Sequence, residues 1–243
     1  MVRVLVTGTA AGLGLNAARE LIGLGHEVVL HARDEARLEG VPKLRDQAFG
    51  AVFGDLSDLS ATLQAAEQAE QFGPFDAVIH NAGVYRGKHI FTVNTVAPYV
   101  LTAAMGKPRR IVYTSSGMHR SGSTDLASVD WLDSTHRPGA YSDSKLYLTA
   151  LSAAVAARWP DVASNAVDPG WVPTRMGGPG APDDLELGHA TQVWLAAGGG
   201  DAGSGGYWFH RQRRKTHPAV DDEAFRAELL ARLEQFTGIA LPA

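Results

Sequence analysis

The chain has 243 residues, 45 % of them hydrophobic and 20 % charged, with a formal net charge of -4. That is enough for one large α/β core and too apolar for disorder, and it lacks the basic excess of a nucleic-acid or anionic-membrane binder. There are no cysteines, which excludes disulfides, thiolate metal sites and a cysteine nucleophile, and which fits a reducing cytosol.

The chain enters its first apolar run at once, at Arg3–Val6, with no basic region or cleavage site ahead of it. No apolar run approaches the ~20 residues of a bilayer span. A cytoplasmic protein with no membrane partner is expected. In chain order the pattern predicts strand Arg3–Val6, helix Gly12–Gly23, strands Glu27–His31 and Ala48–Phe53, helix Leu59–Gln71 and strand Ala77–His80. Helix Thr95–Met105, strand Arg110–Thr114, helix Tyr141–Arg158, strand Ser164–Val167, helix Asp184–Ala197, strand Gly206–Phe209 and helix Asp221–Phe236 follow. The strands are mostly continuous apolar runs, as parallel strands covered on both faces are. The first helix carries Leu13, Ala17, Ala18, Leu21 and Ile22 on one stripe and should lie on the sheet. This alternation predicts an α/β fold: a single doubly wound parallel sheet of Rossmann type with helices on both faces. No repeat or linker divides it, so one domain spanning 1–243 is expected. The Gly/Pro-rich stretch Gly177–Pro182 falls within a predicted substrate loop, about 171–190, ahead of a C-terminal helix at about 221–236.

The first strand runs into Thr7-Gly8-Thr9-Ala10-Ala11-Gly12-Leu13-Gly14 and then the amphipathic helix. Glycines there allow a tight bend and the close approach of a diphosphate, and the helix N-terminus offers free N–H groups. The spacing is Thr-Gly-x-x-x-Gly-x-Gly, and in this it resembles the short-chain dehydrogenase/reductase family; Gly203–Phe209, the basic run after it and Asp221–Gly238 resemble the C-terminal part of that family's retinol-dehydrogenase-like branch. The resemblance implies a nicotinamide dinucleotide held over Gly8, Thr9, Gly12, Leu13 and Gly14.

Further matches follow in order. The second strand ends in His31-Ala32-Arg33-Asp34, with Ala32 where NAD-preferring members usually carry aspartate. Arg33 can pair with a 2′-phosphate, so NADP(H) is favoured over NAD(H). Asp34 is the competing acid, or forms a surface ion pair. Gly54-Asp55-Leu56 resembles the family's Asp-Leu pair beside the adenine, and Asn81-Ala82-Gly83 its Asn-Ala-Gly. On local grounds alone Asp55 could cap the helix beginning near Asp58, and Asn81 could serve a tight turn. Asp168-Pro169-Gly170-Trp171-Val172-Pro173-Thr174 resembles the family's Pro-Gly segment, which implies that Pro169, Gly170, Val172 and Thr174 meet the carboxamide side of the cofactor.

Tyr141 and Lys145 stand one helical turn apart on the same face. A free tyrosine has a pKa of about 10, and a nearby cation lowers it toward the range useful to an acid–base catalyst. Ser115-Ser116 follows the fifth strand, whose carboxyl end opens into the ligand crevice. By resemblance Ser116 is the catalytic serine, with Ser115 the alternative, and Asn94 holds a water in a proton relay to Lys145. Locally, Asn94 also reads as a helix N-cap. Tyr141 and Lys145 would touch both substrate and dinucleotide.

The implied function is hydride transfer between the cofactor and a carbonyl or alcohol, the small-molecule substrate being fairly apolar. A non-catalytic dinucleotide sensor or scaffold is the alternative, and a nucleotide-sugar epimerase would show another glycine spacing. Relative to the family, the segment from Asn81 to Asn94 and the helix after it are short, so the usual oligomer cannot be assumed. The insertion His119–Pro138, with His119, Trp131 and His136, either walls the substrate pocket or is a surface excursion. Its histidines form no metal motif. The basic run His210–Lys215 reads as a solvated sheet edge rather than a polyanion site. Trp171, Met176 and Trp208 are candidates to line an apolar pocket.

Overall fold

The computed structural model describes all residues from Met1 to Ala243. Strands β1 (Arg3–Thr7), β2 (Glu27–Ala32), β3 (Gly50–Phe53), β4 (Ala77–His80), β5 (Arg110–Thr114), β6 (Ala163–Asp168), β7 (Tyr207–Phe209) and β8 (Gln212–Arg213) form one sheet. Their order is β3-β2-β1-β4-β5-β6-β7-β8, and every pairing is parallel except the last. The winding reverses between β1 and β4, so the loops after these strands diverge and leave a crevice at their carboxyl ends.

The apolar runs are continuous because both faces are covered. Val4 and Val6 lie with Ala17, Ala18 and Leu21 of α1 (Gly12–Gly23) and with Val193 of α7 (Leu185–Ala196). Leu5 takes the opposite face, with Ala66 and Ala69 of α4 (Leu59–Glu70) and Leu101 of α5 (Ala97–Ala104). Farther along that face α6 (Ala140–Arg158) and α8 (Glu223–Thr237) build the largest apolar cluster, around Tyr147, Leu151 and Leu229. No helix is long and apolar enough to cross a membrane.

Three departures from the predicted elements have local causes. Two short helices, α2 (Ala36–Glu39) and α3 (Pro42–Gln47), precede β3, and Pro42 starts the second with its φ preset. They push the start of β3 from Ala48 to Gly50. Ahead of α5 the chain makes a π-helical turn over Thr92–Val96, so the helical stretch begins before the predicted Thr95. The basic run does form a solvated edge: Gln212 and Arg213 are exposed on the antiparallel β8.

Trp208 does not line a pocket. It is 9 % exposed, meets Trp194 edge-on, and donates its indole N–H to Asn165 Oδ1 at 3.0 Å. The insertion is more than a surface excursion. Leu126 and Trp131 enter the main core, and the Trp131 carbonyl accepts the Thr92 hydroxyl at 2.7 Å. Arg137 pairs with the buried Asp143 at 2.7 Å, which in turn accepts the Ser123 N–H at 2.7 Å. The face of short α5 is covered from within, since Tyr99 donates to the Ile239 carbonyl at 2.6 Å.

Candidate active site

The crevice begins at the glycine turn. Gly8 and Gly12 take φ values of +74° and +60°, a region disfavoured for residues with a Cβ. A Cβ on Gly14 would stand 2.4 Å from the Gly8 carbonyl oxygen and 2.3 Å from Asn81 Nδ2. Three hydrogen bonds meet at Thr7: its hydroxyl accepts the N–H of Asn81 at 2.9 Å and of Ala82 at 3.0 Å, while Asn81 Nδ2 donates to its carbonyl at 2.9 Å. Asn81 therefore welds β4 to the turn. Helices α4, α7 and α8 are each capped by an aspartate, whereas α1 has no side-chain cap and no acid in its first turn. Its N–H groups and positive dipole end face the crevice.

Beneath the turn lies a residue to which no role was assigned from sequence. His31, 4 % exposed, accepts the Gly8 N–H on Nδ1 at 3.3 Å and donates from Nε2 to the Gly54 carbonyl at 3.1 Å. That fixes the neutral tautomer, and burial lowers its pKa to about 4. Burial alone lowers His80, which is stacked on Tyr113, to about 3. Both folded values lie below the unfolded 6.5, so acidification loads protons on the unfolded chain first. Stability is thus full above pH 6.5 and falls as pH drops toward 4, by roughly 3 kcal/mol per pH unit for the two groups together. Thermal melts between pH 7 and 4.5 should show this loss; a flat profile would contradict the two neutral buried rings.

Just beyond the end of β2, Arg33 Nε lies 3.3 Å from Asp34 and 4.0 Å from Asp55, with about half its side chain exposed. Asp58, not Asp55, caps α4, accepting from Ala61 at 2.7 Å. Asp55 instead takes the Ser57 N–H and hydroxyl at 2.9 and 2.7 Å, and Leu56 is buried.

The predicted acid–base residues converge. Lys145, 3 % exposed, donates to the Thr114 carbonyl at 2.8 Å, and its Nζ lies 5.6 Å from the Tyr141 ring centroid. A Cβ on Gly83 would stand 3.3 Å from Asn94 Oδ1 and 3.5 Å from Lys145 Nζ, so these three share one corner. Asn94 is fully buried inside the π-helical turn and is not an N-cap. Its amide accepts the Val84 N–H at 2.8 Å and donates to the Val84 carbonyl and Ser144 Oγ at 2.9 and 3.0 Å. Of the two serines, Ser115 is buried and bonded to Thr149 Oγ1 at 2.7 Å, while Ser116 Oγ accepts the Met118 N–H at 3.2 Å and lies close enough to Tyr141 to pull its pKa down.

The expectation that Lys145 lowers the Tyr141 pKa is not met. Burial pushes the phenol up to about 12, against the pull of Ser116, and the Asp168 charge and Tyr85 add to the rise. Burial also brings the Lys145 ammonium down to about 8. Tyr141 is therefore held as a protonated phenol. Tyr85, another residue missed from sequence, meets it edge-on at 4.7 Å between centroids.

The Pro-Gly segment closes the third side. Thr174 approaches Gly12, where a Cβ would lie 3.6 Å from its methyl, and a Cβ on Gly188 would stand 2.8 Å from Val172 and 2.9 Å from Leu13. Gly170, at φ +81°, turns the chain, and Trp171 N–H donates to Asp183 at 2.6 Å. Trp171 and Met176 are 59 % and 46 % exposed at the loop surface.

The family model described as short chain dehydrogenase matches residues 2–184. The chain is 36 % identical to the short-chain dehydrogenase chyC of Penicillium rubens, over the whole of both proteins. It is 30 % identical to retinol dehydrogenase 14 of Mus musculus over 72 % of this chain and 62 % of that protein, in keeping with the branch expected. A solved structure of an uncharacterised protein from Mycobacterium paratuberculosis shares the fold at a TM-score of 0.84 and 24 % identity, covering 100 % of this chain and 96 % of that one. Fold, site and relatives agree, and the chain belongs to the short-chain dehydrogenase/reductase family.

Proposed function

We propose that the whole chain works as one dinucleotide-binding oxidoreductase domain that interconverts a carbonyl and an alcohol, with NADP(H) preferred. The observation that carries this reading is the meeting of Ser116, Tyr141, Lys145 and Asn94 beside the uncapped α1 N-terminus and its glycine turn. The crevice fits the cofactor on its own terms: a Cβ at Gly8 would press on Ala82 and one at Gly14 would collide with the Gly8 carbonyl and Asn81, so glycines let the turn close tightly against α1, which offers unspent N–H groups. A bound nicotinamide supplies the hydride chemistry.

The residues of the chain do the rest. Gly8, Thr9, Gly12, Leu13 and Gly14 hold the diphosphate; Asp55, Leu56, Asn81, Ala82 and Gly83 border the adenosine side and the floor; Pro169, Gly170, Val172 and Thr174 orient the carboxamide end. Ser116 holds the substrate oxygen against Tyr141, whose phenol gives its proton to the forming alkoxide. Lys145 binds the nicotinamide ribose and passes a proton toward Tyr141, with Asn94 holding the relay in place. Exposed Tyr85, Met118, Trp171 and Met176 on the loops around the site support a fairly apolar substrate body.

Arg33 tests the cofactor choice. A guanidinium–phosphate contact is worth about 1.5–3 kcal/mol, or roughly 10- to 100-fold in affinity. Arg33→Ala should lower kcat/KM with NADPH by that factor and leave NADH nearly unchanged, measured on a panel of aldehydes, ketones and alcohols. Activity of the unaltered chain with NADH alone would overturn the NADP(H) preference; no turnover across the panel with either dinucleotide would overturn the function.

A further inference from the structure

Two large apolar side chains stand exposed beside the residues proposed to hold the carbonyl oxygen. Tyr85, 40 % exposed, meets the Tyr141 ring edge-on at 4.7 Å between centroids, and its hydroxyl is close enough to oppose ionisation of that phenol. Met118, 43 % exposed, follows Ser116 by two residues and donates its N–H to the Ser116 hydroxyl oxygen at 3.2 Å. A single exposed apolar side chain needs no explanation, but two at one reacting centre leave bare surface where a substrate must sit.

Neither side chain hangs on a loose loop. The exposed stretch Tyr85–Lys88 is pinned at both ends. Asn94 grips Val84 through its N–H and its carbonyl at 2.8 and 2.9 Å. Ser134 donates its hydroxyl to the Gly87 carbonyl at 3.0 Å and its N–H to the Lys88 carbonyl at 2.8 Å. Gly87, at φ +103°, turns the chain between these anchors in a conformation that a side chain would resist. Met118 lies in the tight turn Gly117–Ser121, where the Ser121 hydroxyl donates to its carbonyl at 2.9 Å. Ring and thioether are thus presented on fixed backbone, and little further order is lost when a ligand covers them.

The kind of side chain matters as much as its exposure. A tyrosine ring gains from a second ring set edge-on or offset against it, as the Tyr85–Tyr141 pair already shows, and a thioether gains from contact with an aromatic ring. On the Pro-Gly loop the exposed apolar pair is again an aromatic and a thioether, Trp171 and Met176. We propose that Tyr85 and Met118 form a subsite for an aromatic ring attached directly to the reacting carbonyl, which makes aryl ketones and aryl aldehydes the substrate class. The inference rests on the oxidoreductase reading above and narrows its apolar substrate body to an aromatic one. Ser116 and Tyr141 take the carbonyl oxygen, and the two exposed side chains select what the carbonyl is attached to.

The test compares methyl phenyl ketone with methyl cyclohexyl ketone, which share a carbon skeleton and differ in ring unsaturation, assayed with NADPH and with NADH. The readout is the ratio of the two kcat/KM values in each variant against the unaltered chain, so the intrinsic reactivities of the ketones cancel. Tyr85→Leu keeps an apolar side chain without the ring and should lower the phenyl-to-cyclohexyl ratio by about 3- to 10-fold, mainly through KM. Met118→Leu should lower it by about 2- to 5-fold. Tyr85→Phe, which keeps the ring, should hold it within about 2-fold. Both positions are exposed, so the variants should melt with the unaltered chain. A ratio that neither leucine variant moves by about 2-fold, or turnover of other carbonyls in the panel but not of the phenyl ketone, would overturn the proposal. An unaltered chain that turns over no carbonyl or alcohol with either dinucleotide would instead sink the oxidoreductase reading, and this inference with it.

Discussion

Tyr141→Phe is expected to lower kcat by roughly 10²- to 10⁴-fold, the range in which a positioned proton donor contributes, while dinucleotide affinity stays within about 3-fold. The change removes one oxygen. The ring keeps its edge contact with Tyr85 and its place on α6, and Ser116 Oγ keeps the Met118 N–H. Nothing structural is stranded, so the melting temperature should hardly move. Turnover with carbonyl substrates, dinucleotide binding by fluorescence titration, and thermal melts separate the three quantities. Turnover that survives the substitution would overturn the assignment of Tyr141 as the acid. An unaltered chain that binds dinucleotide and turns over nothing would point to a sensor.

Gly14→Ala is expected to act at the opposite end of the crevice and for a different reason. The new methyl would lie 2.4 Å from the Gly8 carbonyl oxygen and 2.3 Å from Asn81 Nδ2. A flexible side chain could yield, but the carbonyl belongs to the turn itself, and Asn81 is held by Thr7. Relief requires α1 to move off the turn, at a stability loss of about 1–3 kcal/mol. The N–H groups proposed to hold the diphosphate move with it, and the dissociation constant for NADPH should rise by about 30-fold or more. Gly23→Ala in the same helix is the control. Nothing lies within 4 Å of a Cβ there, and the change should stabilise the chain by a few tenths to about 1 kcal/mol. If Gly14→Ala binds and melts like Gly23→Ala, the close approach of helix to turn is not what the crevice depends on.

The parts of the site legible in the sequence are those set by local spacing. The glycine turn, the Tyr141–Lys145 turn of helix and the placement of Ser116 after an apolar strand all depend on neighbours in the chain. The doubly wound parallel sheet followed from the alternation of elements in the same way. What escaped depends on contacts across the fold. Tyr85 meets Tyr141 only because the chain after β4 doubles back over α6. His31 looked like one more strand residue until Gly8 and Gly54 were brought to its two nitrogens. Asn94 resembled a cap because it precedes an apolar helix; a π-helical turn begun at Thr92 places it inside instead. The direction of the Tyr141 shift was misjudged because proximity to Lys145 can be read from spacing, whereas burial, the larger effect here, cannot.

The two loops beside the crevice are anchored very differently, and this bears on how the enzyme can diversify. The 119–138 segment is nailed into the core by Leu126 and Trp131 and by the Arg137–Asp143 pair, so changes there disturb folding along with pocket shape. The Pro-Gly loop hangs on a few bonds, such as Asp183 to Trp171, with Trp171 and Met176 already turned outward. A directed-evolution library meant to retarget substrate choice should therefore spend its diversity on Trp171 and residues 175–182, where variants stay foldable, and leave Val172, Thr174 and the 119–138 segment intact.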